Sequence, residues 1–136
     1  MRILGLLVLA GALVATTAAA SPRPATVSTF AGDWWGHTRS LQISRTGQAR
    51  EVVDDGCCTR VVTLRLRLSK PSGNVNDATA LVRVTAVGRW DVAKPRPLVG
   101  QLGRLRLRDG VVVDSLTGAN YCHASTRPAR ARLCGA

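Results

Sequence analysis

The chain has 136 residues, 46% of them hydrophobic, and 19 Lys and Arg against 8 Asp and Glu give a net charge of +11. That length fits one domain, and the apolar share is too high for a disordered tail and sufficient for a modest core. The composition excludes collagen-like, coiled-coil and multi-span membrane architectures, and it singles out no activity.

Residues 1–20 read as a secretory signal peptide. Arg2 is the positive n-region, Ile3 to Ala15 is the apolar h-region, and Ala18-Ala19-Ala20 fits the small-residue cleavage rule, with the cut before Ser21. The apolar run is about 13 residues, short of the roughly 20 that span a bilayer. No Cys follows it to carry a lipid anchor. The expected location is therefore secreted and extracellular. Residues 21–29, with Pro22 and Pro24, are expected to be a flexible leader, and residues 30–136 a single β domain.

Trp34 to Ser44 is the first expected strand, with Leu41 and Ile43 in alternation, and Thr46-Gly47-Gln48 is a turn. Arg50 to Val53 is a short second strand, followed by a turn at Asp54-Asp55-Gly56. Arg60 to Ser69 carries the clearest period of two. Val62, Leu64, Leu66 and Leu68 share one face; Thr63, Arg65 and Arg67 share the other. Lys70 to Asn76 reads as a loop. Ala80 to Val87 alternates again, and Gly88 to Gly100, with Pro95 and Pro97, reads as a long connection. Leu102 to Arg108 sets Leu105 and Leu107 opposite Arg104, Arg106 and Arg108. Asp109-Gly110 then predicts a type I′ hairpin into Val111-Val112-Val113. A last strand is expected near Asn120 to His123. No segment shows a helical period. The fold predicted is all-β: one antiparallel sheet, an up-and-down barrel or near-closed barrel of about six to eight strands, closed to protect its edges.

In an exported chain the four cysteines, Cys57, Cys58, Cys122 and Cys134, predict two disulfides. Pairing the neighbours Cys57 and Cys58 requires a strained ring. The expectation is instead that the Gly56-Cys57-Cys58 turn is tied to the C-terminal segment by both bridges. Each would close a loop of about 60 residues or more, worth roughly 4 kcal/mol in the chain-entropy picture. Vicinal cysteines do not match the C-x2–4-C spacing of zinc ligands, alone or with His37 and His123. No metal and no cofactor is expected.

Gly32-Asp33-Trp34 at the start of the first strand resembles the G-x-W of calycin barrels, the lipocalins, avidins and relatives. The resemblance implies a Trp34 that closes one barrel end. It also implies an Arg near the last strand packed on that ring, from among Arg127, Arg130 and Arg132, and an interior for a small apolar ligand. The wider pattern of Trp35-Gly36-His37-Thr38-Arg39-Ser40-Leu41, Gly56-Cys57-Cys58 and Cys134-Gly135-Ala136 resembles small secreted actinobacterial proteins. It implies export and one β domain and carries no activity.

Among the basic residues beyond the signal peptide only Lys70 and Lys94 are Lys, a bias that a high-GC genome produces. Even so, Arg65 and Arg67 share one strand face and Arg104, Arg106 and Arg108 another. If those strands are neighbours, five guanidiniums form a field that attracts nucleic acid, teichoic acid or acidic glycans; otherwise they are a solvated wall. For catalysis the sequence offers only His37 and His123, the acid and base a ribonuclease needs, and none of the common hydrolase, zinc or phosphate-loop motifs. The expectation is a secreted, non-catalytic binding module whose basic face meets an anionic polymer or a protein. The alternatives are a small barrel that carries an apolar molecule and, behind it, the ribonuclease.

Overall fold

A computed structural model describes residues 19–135. The expected signal peptide, residues 1–20, lies outside them apart from its last two residues. The chain forms eight strands: β1 (Gly32–Gly36), β2 (Arg39–Ile43), β3 (Gln48–Asp54), β4 (Arg60–Gly73), β5 (Asp77–Trp90), β6 (Leu102–Arg108), β7 (Val111–Asp114) and β8 (Ala119–Cys122). Each pairs antiparallel with the next, and β8 returns to β1, so the sheet is a closed barrel. Closure gives each of the eight strands a partner on both sides, which protects the sheet's edges.

The alternation read from the sequence sets the inside and the outside. Val62, Leu64, Leu66 and Leu68 of β4, Ala80, Val82 and Val84 of β5, and Leu105 and Leu107 of β6 are all buried in one continuous core. The residues between them face water. The hairpin at Asp109-Gly110 is as expected: both residues have positive φ, 51° and 76°, and Arg108 pairs with Val111.

Three elements differ from the sequence reading. The first expected strand is two strands, because His37-Thr38 makes a two-residue turn between Gly36 and Arg39. Thr38 sits there at φ 58°, a left-handed conformation that a β-branched residue seldom takes, so the sequence carried no turn signal. The expected loop at Lys70–Asn76 is mostly strand. The register of β4 shifts between Ser69 and Ser72, around Lys70 at φ 47°, and this bulge accommodates Pro71 within the strand. Finally, β5 runs on to Trp90, which shortens the expected connection at Gly88 to Gly100.

The disulfides are Cys57–Cys58 and Cys122–Cys134. This corrects the expectation that both bridges tie the Gly56-Cys57-Cys58 turn to the C-terminal segment. Cys57 and Cys58 occupy an exposed turn between β3 and β4, where the Asp55 carboxylate accepts the backbone N–H groups of Cys57, Cys58 and Thr59. Cys122 ends β8. A short helix α1 (Pro128–Ala131) and a 3-10 turn (Arg132–Cys134) fold back and bury Cys134 against it.

Part of the segment expected as a flexible leader packs on the barrel. Ala25 N–H donates to Gly73 O, Val75 N–H donates to Arg23 O, and Val27–Phe30 form a 3-10 turn that buries Phe30.

Candidate functional site

The basic wall is assembled by β3 to β6. β5 separates β4 from β6, so the two expected arginine groups are not on neighbouring strands. The intervening strand fills the gap with Arg83. In register, Arg50 of β3 lies opposite Arg65 of β4, and Arg67 of β4 lies opposite Arg83 of β5. Arg65 and Arg67 are two residues apart on one strand, so the four form an unbroken cross-strand run on the outer face. Arg45 in the β2–β3 turn joins Arg50, Arg65 and Arg67 around an open concavity of about 990 Å³, whose lining also includes Asp33 and Gln42.

Like charges directly across a sheet oppose folding. Among the described residues, no carboxylate lies within ion-pairing distance of Arg45, Arg50, Arg65, Arg67, Arg83 or Arg104, whereas Arg106 has Asp77 at 3.9 Å and Arg108 has Asp109 at 4.0 Å. The expected five therefore divide. Arg65, Arg67 and Arg104 are free charges, while Arg106 and Arg108 are partly neutralised. Arg45, Arg50 and Arg83 were missed. Arg83 was legible, since it alternates with Val82 and Val84; Arg45 reaches the wall only through the β2–β3 turn.

The two histidines are not brought together. His37 lies in the β1–β2 turn, its N–H donating to Cys134 O at 2.6 Å. His123 follows β8 and lies beside Gly32, at the opposite end of β1. At about 3.3 Å per strand residue, the length of β1 separates them by roughly 15 Å. That span is too long for an acid and a base acting on one phosphodiester.

Trp34 stands at the start of β1, where its Nε1 donates to Phe30 O at 2.8 Å. The ring packed on it is His123, with centroids 5.3 Å apart. Arg127 and Arg130 line the adjacent open cleft of about 780 Å³ with Trp34, His123, Ser125 and Asp109. Arg130 pairs there with Asp109 at 3.4 Å.

The barrel interior also holds a polar cluster that the alternation pattern does not reveal. Glu51 and Asp114 are both fully buried. The Thr117 hydroxyl lies 2.9 Å from Glu51 Oε1 and 3.1 Å from Asp114 Oδ2, and the buried Tyr121 hydroxyl donates to Glu51. One Thr117 hydrogen cannot serve two carboxylates at once, so a proton on either one would complete the bridge. Burial first, and then the charge of Asp114, push the Glu51 carboxyl up to about 7. Burial also raises Asp114 and Tyr121 above their ordinary values. Among the described residues, no group of three or more His, Cys, Asp or Glu is arranged to hold a metal ion.

Comparison with protein families, with curated proteins and with solved structures finds no match to this chain.

Proposed function

We propose that the chain is an exported, non-catalytic binding module whose outer wall holds an anionic partner. The observation that carries this reading is the cross-strand run Arg50, Arg65, Arg67 and Arg83, which has no carboxylate within ion-pairing distance among the described residues. Such a run opposes folding slightly and attracts phosphate or carboxylate groups spaced along a polymer. The neighbouring concavity gives guanidiniums from β3, β4 and the β2–β3 turn a common focus. The alternative carrier reading needs the barrel interior, and there Leu41, Leu64, Val82, Val84 and Leu105 are fully buried in one packed core and Glu51 and Asp114 are buried as well.

Binding to linear polyphosphate, followed at increasing salt, tests the reading. Affinity should fall steeply with salt, because each neutralised phosphate releases a counterion. Replacing Arg50, Arg65 and Arg67 together by Ser should weaken binding at least tenfold and reduce the salt slope by roughly one per arginine. Unchanged binding by the triple variant sinks the proposal. The three side chains are exposed, so the barrel remains folded in that test.

A further inference from the structure

The connection between β5 and β6 ends in a turn that holds two apolar side chains out in water. Leu98 is 73% exposed, Val99 68% and Leu102 53%, the three most exposed large hydrophobics among the described residues. The turn is built to stay that way. Gln101 N–H donates to Leu98 O at 2.9 Å, Leu98 N–H donates to Gln101 Oε1 at 3.0 Å, and Gly100 takes φ 90° between them. This is the geometry of a type II turn, with glycine at the position that needs positive φ. The outgoing side of the turn is then tied to β5: Gly100 N–H donates to Val84 O at 2.8 Å, and Val84 N–H donates to Gln101 O at 2.9 Å. Leu98 and Val99 thus project from a fixed support.

Arginines flank this knuckle. Arg83 donates from Nη1 to Gly100 O at 3.4 Å and sits in register with Leu102 on one side and Arg67 on the other. Arg104 follows two residues after Leu102 on the same outward face. Arg96, two residues before Leu98, is anchored to Val87 O at 3.2 Å. The apolar tip is therefore continuous with the end of the basic wall.

We infer that the anionic partner of this wall is an anionic phospholipid bilayer, into whose interface the Leu98–Val99 turn inserts while Arg67, Arg83 and Arg104 meet the headgroup phosphates. This inference rests on the basic-wall reading and narrows it. A convex tip with a cationic rim matches a surface that is apolar within and negative at its boundary. A soluble polyanion leaves the two apolar side chains in water. Three side chains also fall well short of the roughly 800 Å² per partner that a stable protein interface buries.

The test compares the full mature chain with a Leu98→Ser/Val99→Ser variant and an Arg67→Ser/Arg83→Ser variant. Each is sedimented with vesicles of phosphatidylglycerol and phosphatidylcholine, with phosphatidylcholine vesicles, and titrated with polyphosphate. The parent should sediment with the anionic vesicles and not with the neutral ones. The apolar variant should lose vesicle binding at least tenfold and keep its polyphosphate affinity within about twofold, and the arginine variant should lose both. A Val99→Trp reporter should shift its emission to the blue with anionic vesicles and not with polyphosphate. Vesicle binding by the apolar variant equal to the parent's overturns the insertion. So does parent binding to polyphosphate without binding to vesicles, which leaves the basic wall intact. Equal binding to both vesicle types overturns the anionic class. Failure to bind either ligand overturns the basic-wall reading as well.

Discussion

Trp35 and Cys122 form the register pair that joins β1 to β8 and closes the barrel. The other strands meet over longer ladders: β1 and β2 share five register pairs, and β7 and β8 share four. The seam at Trp35 and Cys122 is therefore the junction with the least backbone pairing, and the C-terminal segment reinforces it. Cys122 is bonded to Cys134, whose carbonyl accepts the N–H of His37 just beyond β1, and Asn120 Nδ2 donates to Leu133 O. Replacing Cys122 and Cys134 together by Ser removes a loop constraint over a sequence separation of 12. The expected loss is roughly 3 kcal/mol in denaturant unfolding. Hydrogen exchange should show Trp35 and Tyr121 opening before β4 and β5. A variant as stable as the parent would mean that the cap does not hold the seam.

The Cys57–Cys58 bridge should behave in the opposite way. It joins adjacent residues on an exposed turn, so it removes almost no freedom from the unfolded chain. The turn keeps its three N–H bonds to Asp55 without it. The Cys57→Ser/Cys58→Ser variant should unfold within about 0.5 kcal/mol of the parent. A loss of several kcal/mol would show that these cysteines carry the framework after all.

What the sequence made legible follows from where each signal originates. Period-two alternation is imposed by burial on one face, so Leu64, Leu66, Val82 and Leu105 could be assigned inward without any structure. The Asp109-Gly110 turn was legible because its two residues favour the positive φ that the hairpin needs. The Thr38 turn and the Lys70 bulge were not, since tertiary pairing forces both residues into conformations their types disfavour. The cysteine pairing failed for a related reason: chain entropy favours long loops, but the folded barrel decides which sulfurs meet. Arg65 and Arg67 were legible as an outward pair. That Arg50 and Arg83 flank them depends on register, which no single strand records. Glu51 was illegible, because a buried carboxylate reads in sequence like any surface acid.

The arginine run predicts a conflict between stability and binding. Arg50 and Arg65 are directly opposed in register, and each such pair costs a few tenths of a kcal/mol, up to about 1 kcal/mol. Arg65→Thr should raise stability by about that amount at low ionic strength, and the gain should vanish in high salt, where the repulsion is screened. The same variant should bind polyphosphate more weakly. Denaturation at two salt concentrations together with one binding curve checks all three statements. A stability gain that persists in high salt would point to strand propensity rather than charge.

Gly88 sits where β5 passes close to β4. A Cβ added there would lie 2.2 Å from Thr63 Oγ1, the atom that accepts the Arg89 N–H at 2.7 Å. Gly88→Ala should therefore cost about 1–3 kcal/mol, the usual range for overpacking. In a Thr63→Ala background the obstructing atom is gone, and the same substitution should cost less than about 1 kcal/mol. The four unfolding midpoints of this cycle measure the coupling. Additive effects would place the strain somewhere other than this contact.

The buried acid pair gives the barrel an unusual pH dependence. The Glu51 carboxyl titrates at 4.5 in the unfolded chain and at about 7 in the barrel, where burial and the Asp114 charge favour its protonated form. Between those values the folded state binds more protons than the unfolded state. Stability therefore falls as pH rises from 4.5 to about 7 and levels off above it. Asp114, raised by the same burial, adds in the same direction. Tyr121 and Thr117, which also face Glu51, act through hydrogen bonds, and Arg39 is the nearby cation felt by Tyr121. At about 1.4 kcal/mol per pKa unit the whole swing is on the order of 3 kcal/mol. The parent should thus unfold at a higher denaturant concentration at about pH 5 than at about pH 8, the reverse of a protein held by surface ion pairs. Glu51→Gln keeps hydrogen-bonding groups at the site but cannot ionise, so its stability should change less across that range and exceed the parent's at the alkaline end. An equally steep decline in the Gln variant would assign the pH dependence to other groups.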